Sequence, residues 1–535
     1  MAGITIYDGP CDYLVSKVLD LSPIATPCRY RLIDCEYIVK EHVLRIQEFK
    51  EFPSFQYSAI SYIWRGNPPD PSVPNEGGTF MVKGAEDGDP ISIDVLYHAC
   101  TAALQHGASY IWLDRLCIMQ TSREDKGWQI RHMFQVYKSC NPCIILPGGI
   151  CRLVGLEERT SWIHRGWTLQ EILAPASSLV LLAWKLGSGT YDSISEGRID
   201  EVVPGKSAVG QVGEIIQTCV GACMWFTSAH AKDMYDVIKL KSSIFGDPDE
   251  DDGPLWALIG AMELREPEAR LHAIWRSALM RTSSRPVDMV FSIMGLFDVA
   301  LDPHAFHADD RLGATIALGR ELLRQGRPAS WLGISFYLPP CPMLSTFPDF
   351  PQTSVAGKAR ILIGDKLVDV VGNADGAYPA RWWLKDAPRG IMTEDGYLTF
   401  TAKAAPLVAT GTKRQDVELW TANVHLDGIN TPQLVAIDNS VWELIAESKA
   451  MHLAKAVVLM IGKEEVYDIE WFPKWQHKCS LRGMLVEEHA PGKFHRTSYF
   501  FLGDAYGELI DGWEERSFAV GGPRTNQQCS ESRVS

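Results

Sequence analysis

Short apolar runs alternate with helical periodicity over the N-terminal part of the chain. Four of these runs are rich in β-branched and aromatic residues, which is typical of buried strands: Ser54–Trp64, Tyr110–Leu113, Cys143–Leu146 and Leu179–Trp184. Helical segments separate the strands, and this alternation favours parallel pairing. The pattern therefore predicts an α/β domain built on a mostly parallel sheet with helices on both faces.

The segments between these strands carry recognisable helix signals. A helix is expected from Ser92 to Gly107, because its apolar positions share one face and glycine is suited to the left-handed residue that follows a helix. Ser122-Arg-Glu-Asp125 has the form of a capping box, and apolar residues then recur at i, i+3, i+4 and i+7 up to Tyr137. A third helix starts near Trp167 and must end close to Ala174, because Pro175 follows.

The pattern changes after residue 185. Apolar residues with helical spacing predict a helical region over 186–335, with one helix expected within Val209–Phe226. Proline-rich connections and alternating runs predict a β-rich region over 336–523, with a hairpin around Ala490-Pro-Gly492. The polar residues 524–535 are predicted to be a disordered tail. We expect a first domain at 29–185, followed by these two regions.

Composition narrows the classes of function. The chain has 535 residues, of which 46% are hydrophobic, and this is enough apolar material for several cores. A net charge of −15 argues against a general nucleic-acid binder, which needs a concentrated Lys/Arg surface. The longest apolar stretches, Leu179–Trp184 and Ala454–Ile461, are far shorter than the ~18–20 residues of a membrane helix. No membrane span is predicted.

The cysteines indicate a reducing compartment. There are 13 of them without repeated spacing, and no secretory leader pattern precedes them. The closest pairs, Cys140/Cys143 and Cys219/Cys223, lack the second CxxC or His pair of a zinc site, so core packing is favoured over metal binding. We therefore expect reduced thiols, no metal and a cytoplasmic location.

Candidate chemistry centres on Arg165-Gly-Trp-Thr-Leu-Gln-Glu171. In a helix, Trp167 and Glu171 share one face, and a carboxylate desolvated by an indole has a raised pKa. Such a group suits acid/base or charge-stabilising work. The sequence is equally compatible with a Trp167 that only packs and a Glu171 that is solvated or paired with Arg165.

Three further residues are expected near this carboxylate. The carboxyl ends of neighbouring parallel strands line one crevice, so Ser61, Asp114 and Arg115 are predicted to converge on Glu171. Glu171 is then the candidate catalytic residue, and Ser61, Asp114, Arg115 and Trp167 are candidate ligand-binding residues.

Successive motifs resemble the signature blocks of the fungal heterokaryon incompatibility (HET) domain. The blocks are Tyr57-Ser-Ala-Ile-Ser-Tyr-Ile-Trp64 with Gly66, Trp112-Leu-Asp-Arg-Leu-Cys-Ile-Met-Gln120, the Gln129/Met133/Tyr137 helix and Arg165–Glu171. Arg31-Leu-Ile-Asp34 resembles the segment that leads into that domain. Two positions depart from the family pattern: Arg65 stands between Trp64 and Gly66, and Met119 occupies the usual place of an asparagine.

The resemblance implies a function in fungal non-self recognition that ends in regulated cell death. It also implies a distant similarity to the Toll/interleukin-1 receptor (TIR) domain and a flavodoxin-like sheet. Glu171 matches the glutamate of the NAD-cleaving members of that fold, so NAD would be a substrate and no cofactor is implied. Protein partners of the incompatibility pathway are expected, and self-association is left open. Three interpretations remain: a signalling effector, a NAD-cleaving hydrolase and a non-catalytic assembly scaffold.

Overall fold

The computed structural model describes residues 3–71, 75–230, 236–352, 357–371, 382–414, 433–445, 454–466 and 481–523. The chain divides into two compact units. The N-terminal unit comprises residues up to Leu255 together with Arg281–Ser283 and Phe291–His307. The C-terminal unit comprises Trp256–Met280, Ser284–Val290 and the residues from Ala308 onward. The predicted disordered tail, 524–535, lies outside the described residues.

The N-terminal unit contains the strands β1 (Ile4–Pro10), β2 (Val18–Leu19), β3 (Tyr30–Asp34), β4 (Val43–Phe49), β5 (Tyr57–Tyr62), β6 (Thr79–Val82), β7 (Ile91–Ser92), β8 (Tyr110–Trp112), β9 (Cys143–Leu146), β10 (Ser178–Ala183), β11 (Gly189–Asp192), β12 (Gly197–Val203), β13 (Ser207–Gln211), β14 (Cys223–Ser228) and β15 (Val237–Lys241). Its helices are α1 (Ile93–Gln105), α2 (Asp114–Cys117), α3 (Arg123–Ser139), α4 (Thr168–Leu173) and α5 (Val212–Val220). Most of the strands form one 12-stranded sheet in the order β1-β4-β3-β8-β5-β9-β10-β13-β12-β11-β14-β15.

The four strands expected from the sequence form the centre of this sheet. The pairs β8–β5, β5–β9 and β9–β10 are all parallel. β5 and β9 are buried along their whole length, as expected for strands covered on both faces. The predicted parallel core and the helices α1 and α3, capped by Ser92 and Ser122, are confirmed.

The prediction of a mostly parallel sheet is wrong for the sheet as a whole. The strands on either side of the core pair antiparallel, and a flavodoxin-like fold is not confirmed. The reason is the length of the connections, because a parallel pair needs a crossover of a dozen or more residues whereas β12 returns to β13 through a tight turn. β4 also alternates partly exposed with buried positions, a pattern typical of an antiparallel strand.

The region predicted to be helical begins later than expected. Residues 189–241 contribute the five strands β11 to β15 together with α5, so Val209–Phe226 is only partly helical. The helices follow as α6 (Pro248–Glu263), α7 (Pro267–Leu279), α8 (Asp288–Met294) and α9 (Arg311–Arg324). Among the residues that the structure describes, no helix is both long and apolar enough to cross a membrane.

The C-terminal unit is rich in strands, as predicted. They are β16 (Pro340–Cys341), β17 (Leu344–Pro348), β18 (Arg360–Ile363), β19 (Lys366–Asp369), β20 (Trp382–Lys385), β21 (Gly390–Met392), β22 (Tyr397–Lys413), β23 (Gln433–Val435), β24 (Ser440–Leu444), β25 (Ala456–Val466), β26 (Leu481–Ala490), β27 (Lys493–Leu502) and β28 (Glu514–Gly521), with a short helix α10 (Gly507–Asp511). The predicted hairpin is confirmed as β26–β27, in which Ala490 pairs with Lys493.

Five strands of this unit close into a ring. β25 pairs with β26, β26 with β27, β27 with β28, β28 with β22, and β22 returns to β25. Closure leaves no open edge among these five strands. One cluster of buried apolar side chains from this unit includes Leu407, Val458, Leu485 and Phe500.

A buried ion network ties the lead-in strand to the core of the N-terminal unit. Arg31 on β3 is fully buried and pairs with Glu48 on β4 at 3.1 Å and with Asp125 on α3 at 3.0 Å. Its Nη1 also donates to the carbonyl oxygen of Cys117 at 2.9 Å, and Asp125 Oδ2 accepts from the backbone N–H of Met119 at 2.8 Å. A single cation thus joins the two strands β3 and β4 to the two helices α2 and α3.

We expect Trp112→Ala to lower the free energy of unfolding of the N-terminal unit by ~3–5 kcal/mol. Trp112 on β8 is 2% exposed and packs edge-on against Tyr137 of α3, with ring centroids 5.6 Å apart. Urea unfolding followed by circular dichroism measures the change. Trp225→Ala is the matched control, because that indole is 43% exposed, and a Trp112 loss no larger than the control would contradict the assigned packing.

Candidate functional site

Glu171 lies against the carboxyl end of the central strand. Ser61 is the second-to-last residue of β5, and its Oγ donates a hydrogen bond to Glu171 Oε2 of α4 at 2.6 Å. The indole Nε1 of Trp162 donates to the same Ser61 Oγ at 2.9 Å. The hydroxyl therefore accepts one hydrogen bond and donates another, which fixes its orientation. The structure brings Ser61 and Glu171 together although 110 positions separate them.

The environment of Glu171 moves its titration close to neutral pH. The residue is 6% exposed, and burial raises the pKa of its carboxyl to about 7. The positive charge of Arg165, the hydrogen bond from Ser61 and the positive charge of Arg281 oppose this rise, whereas Asp114 reinforces it. The structure therefore contradicts the interpretation in which Glu171 is simply solvated. The carboxyl can hold or release a proton near pH 7.

Trp162, rather than Trp167, is the indole that contacts this pair directly. Trp162 is fully buried in a short turn before α4, whereas Trp167 is 9% exposed and immediately precedes the helix. The carbonyl oxygen of Trp167 accepts the backbone N–H of Glu171 at 3.3 Å. The sequence missed Trp162 because no helical spacing relates it to Glu171.

Asp114 holds the end of β5 in place. Its Oδ1 accepts the hydroxyl of Tyr62 at 2.6 Å, and its Oδ2 accepts the indole N–H of Trp64 at 2.8 Å. Both donors belong to the first signature block, and Asp114 to the second. Asp114 is therefore a structural link between two blocks and also acts on Glu171 through its charge.

The hydrogen bonds of Arg115 go to a neighbouring loop. It is fully buried, and its guanidinium donates to the carbonyl oxygens of Asp89 and of Ala85, the latter at 3.1 Å. These bonds hold the 85–89 loop rather than Glu171. The loop is also joined to the first block, since the backbone N–H of Gly66 donates to Asp89 Oδ2 at 2.6 Å.

Residues from beyond the predicted domain complete the surroundings of Glu171. Arg281 is 1% exposed, and its Nη1 donates to Thr168 Oγ1 at 2.6 Å and to the carbonyl oxygen of Arg165 at 3.0 Å. Burial lowers the pKa of Arg281 to about 9, an effect that the negative charge of Glu171 opposes. Sequence spacing gave no signal for this contact, because Arg281 and Thr168 are 113 positions apart.

The segment that carries Arg281 pairs with the chain that enters α4. The backbone N–H of Thr282 donates to the carbonyl oxygen of His164 at 2.6 Å, and that of Gly166 donates to the carbonyl oxygen of Thr282 at 2.8 Å. A parallel bridge joins Arg165 to Thr282. These bonds explain why Arg281–Ser283 clusters with the N-terminal unit.

The arrangement combines a carboxyl that titrates near pH 7, an oriented hydroxyl and two nearby cations. This set suits proton transfer or the stabilisation of positive charge on a substrate. Ser61 is fully buried and Glu171 is 6% exposed, so neither side chain is open to solvent. Within the described ranges, no group of three or more His, Cys, Asp or Glu residues is placed to hold a metal ion.

The raised pKa of Glu171 predicts a pH-dependent effect on stability. A carboxyl whose folded-state pKa lies above its unfolded value stabilises the fold at low pH and loses that contribution as pH rises through about 7. Glu171→Gln keeps the shape and removes the charge, so the variant should gain stability over the native protein between pH 5 and pH 8. The expected gain is on the order of 2–3 kcal/mol.

Urea unfolding at both pH values measures this gain. The matched control is Glu76→Gln, because the Glu76 side chain is 73% exposed. An equal stability difference at pH 5 and pH 8 for Glu171→Gln would mean that the carboxyl is ionised throughout that range.

Comparison with known proteins agrees with the motif order. Residues 57–150 match the family described as Heterokaryon incompatibility protein (HET). This segment includes β5, β8 and β9, and with them Ser61, Asp114 and Arg115, but it ends before Glu171.

A curated relative and the solved structures complete the comparison. Over 148 residues the chain is 24% identical to the Vegetative incompatibility protein HET-E-1 of Podospora anserina. The similarity covers 25% of this chain and 10% of that protein, so the chain spans about a tenth of the relative's length. No solved structure matches the chain significantly. Together with the ordered signature blocks, these matches show that the N-terminal part of the chain is similar to the heterokaryon incompatibility (HET) domain.

Proposed function

We propose that the protein is an effector of fungal non-self recognition whose N-terminal unit signals regulated cell death. The observation that carries the proposal is the HET match on the parallel core of this unit, the same core that holds Glu171. A curated protein with a similar segment is named for vegetative incompatibility. The signal would pass to protein partners of the incompatibility pathway or to further copies of the chain. The cytoplasm is the proposed location.

A TIR-like core is part of the proposal. In chain order the parallel strands are β5, β8, β9 and β10, and in the sheet they lie in the order β8-β5-β9-β10. This is the order 2-1-3-4 of flavodoxin-like sheets, in which ligands bind at the carboxyl ends of the strands where the order reverses. Ser61 lies near the carboxyl end of the first of these strands, where it meets Glu171. The antiparallel strands on both sides would then be additions to that core.

The geometry at Glu171 supports NAD cleavage as a second candidate function. Hydrolysis breaks the bond between nicotinamide and ribose, and water supplies the hydroxyl group of the ADP-ribose product. Positive charge develops on the ribose as nicotinamide leaves, and a carboxylate held in a low-dielectric site stabilises that charge. With a pKa of about 7, Glu171 supplies this carboxylate in part of the molecules at neutral pH. Arg165 and Arg281 would favour its ionised form.

Burial of the same group supports the third interpretation, a non-catalytic assembly scaffold. Glu171 is 6% exposed, and its hydrogen bond to Ser61 joins α4 to the sheet. In a scaffold this bond would only hold the helix in place, and surfaces elsewhere on the unit would recruit partners. The catalytic and scaffold interpretations predict different effects for a substitution that removes the charge of Glu171 and keeps the shape of its side chain.

Expression of Glu171→Gln in a fungal host tests the role of the charge. If Glu171 is catalytic, the variant loses toxicity and its melting temperature is no lower than that of the native protein. Purified full-length protein is assayed in parallel for nicotinamide release from NAD. The full chain is required because a fragment that ends near residue 190 lacks Arg281. Glu76→Gln, at an exposed site, should retain both toxicity and any NAD cleavage.

The outcomes separate the three interpretations. A stable Glu171→Gln variant that remains fully toxic excludes the catalytic role and leaves the assembly scaffold. Loss of toxicity with no nicotinamide release by the native protein leaves a signalling effector that does not cleave NAD. A native protein that is harmless in compatible and incompatible fungal hosts would contradict the cell-death function itself.

A further inference from the structure

The large sheet of the N-terminal unit has two open edges. β1 forms one edge and β15 the other, and within the described part of the chain β1 pairs only with β4 and β15 only with β14. Each edge therefore presents backbone N–H and C=O groups that no neighbouring strand of this sheet uses. Such groups are a template for the addition of another strand. The sheet can thus accept one strand at each end.

The large exposed apolar side chains of this unit lie in the two segments that contain these edges. Among its described residues, five of them fall within residues 4–24 and the other four within 194–238. They are Ile4, Tyr13, Val15, Val18 and Ile24 in the first segment, and Ile194, Trp225, Val237 and Ile238 in the second. Concentration of apolar side chains in two segments, rather than scatter over the unit, is typical of interaction surfaces.

Both edge strands are uncovered on both faces over part of their length. Successive side chains of a strand point to opposite faces of the sheet. In β15, Val237 is 45% exposed and Ile238 is 41% exposed. In β1, Ile4 is 70% exposed, and Thr5 is exposed as well. A strand added at either edge would therefore cover apolar surface in addition to pairing the backbone groups.

Charge favours pairing of β15 with β1 over pairing of β15 with itself. β15 contains Lys239 and Lys241 and no carboxylate, whereas the one charged residue of β1 is Asp8. A two-fold dimer through β15 would set the lysines of two copies against each other, which destabilises a sheet. Asp8 and Lys241 form local ion pairs with Arg45 and Asp247, but 43% and 61% of their side chains stay exposed. Both remain accessible to a charge on a second copy.

The strand directions also suit a head-to-tail arrangement. Of the eleven pairings along the sheet, three are parallel and eight are antiparallel. Because eight is an even number, β1 and β15 run in the same direction. A copy displaced along the sheet thus brings its β1 parallel to β15 of its neighbour, with the same face of the sheet on the same side.

We propose that N-terminal units associate head to tail, with the β15 edge of one copy against the β1 edge of the next. This interface is heterologous, so the last copy in a row always keeps a free edge for a further copy. The lysines of β15 limit the pairing, as do Pro10 and the register shift between Thr5 and Tyr7 in β1. Association is therefore expected to be weak and reversible, with a Kd on the order of 10–100 µM.

This interface assigns a surface to one of the two routes of signalling proposed above, the route through further copies of the chain. It depends neither on Glu171 nor on toxicity, and it is measured on purified protein. Failure of the association would leave the tests of Glu171 unaffected, because those tests measure toxicity and nicotinamide release.

Sedimentation velocity of the full-length protein between about 5 and 300 µM tests the association. The weight-average mass of the native protein should rise with concentration and exceed that of a dimer. A lysine on an edge strand opposes strand addition, so Ile4→Lys and Val237→Lys should each raise the Kd about tenfold. Leu509→Lys is the matched control, because this side chain is 37% exposed on α10 of the C-terminal unit. The control should associate like the native protein.

Mixing the two edge variants distinguishes head-to-tail pairing from a two-fold dimer. Ile4→Lys retains a native β15 and Val237→Lys a native β1, so an equimolar mixture should form a dimer of the two variants and nothing larger. Melting temperatures equal to that of the native protein show that both variants, at exposed sites, keep the fold. A native protein that stays monomeric at about 300 µM, dimers of Ile4→Lys alone, or a mixture without dimers overturns the proposal.

Discussion

Burial of one carboxylic acid constrains much of the N-terminal unit. A carboxylate without partners is costly in a protein interior, so it must be hydrogen-bonded, balanced by cations or protonated. All three responses are visible at Glu171: Ser61 donates to it, Arg165 and Arg281 favour its ionised form, and its pKa lies at about 7. These contacts join the central strand, the helix that carries the acid and a segment from a distant part of the chain. The candidate site and the packing of the unit are therefore the same set of interactions.

The blocks that resemble the HET domain contribute mainly structural contacts. Asp114 joins the first block to the second through Tyr62 and Trp64, and Asp125 joins the helix to Arg31. The departure at Met119 has a simple explanation, because its backbone N–H, rather than its side chain, bonds to Asp125. Arg65, the other departure, donates through its Nε to the carbonyl oxygen of Asp87 at 2.8 Å. It thus adds a contact to the 85–89 loop that Arg115 also holds.

The sequence predicted those strands and helices that leave a local pattern of burial or capping along the chain. The buried strands β5 and β9 and the capped helix α3 were found because burial and capping leave a mark on neighbouring residues. The antiparallel sides of the sheet were missed, since short strands with partial alternation say little about their partners. The convergence of Ser61 with Glu171 followed from a topological rule. No rule of this kind predicted the contact between Arg281 and Thr168, because a contact across 113 positions leaves no trace in local periodicity.

The most direct test of this account is the titration of Glu171 itself. With carbon-13 at the side-chain carboxyl of glutamate, the Glu171 signal is assigned as the one that disappears in Glu171→Gln, and its shift is followed with pH. Burial of Glu171 predicts a midpoint of about 7 in the folded protein. A midpoint near 4.3, the ordinary value for an exposed glutamate, would contradict the buried and partly protonated acid on which the candidate site rests.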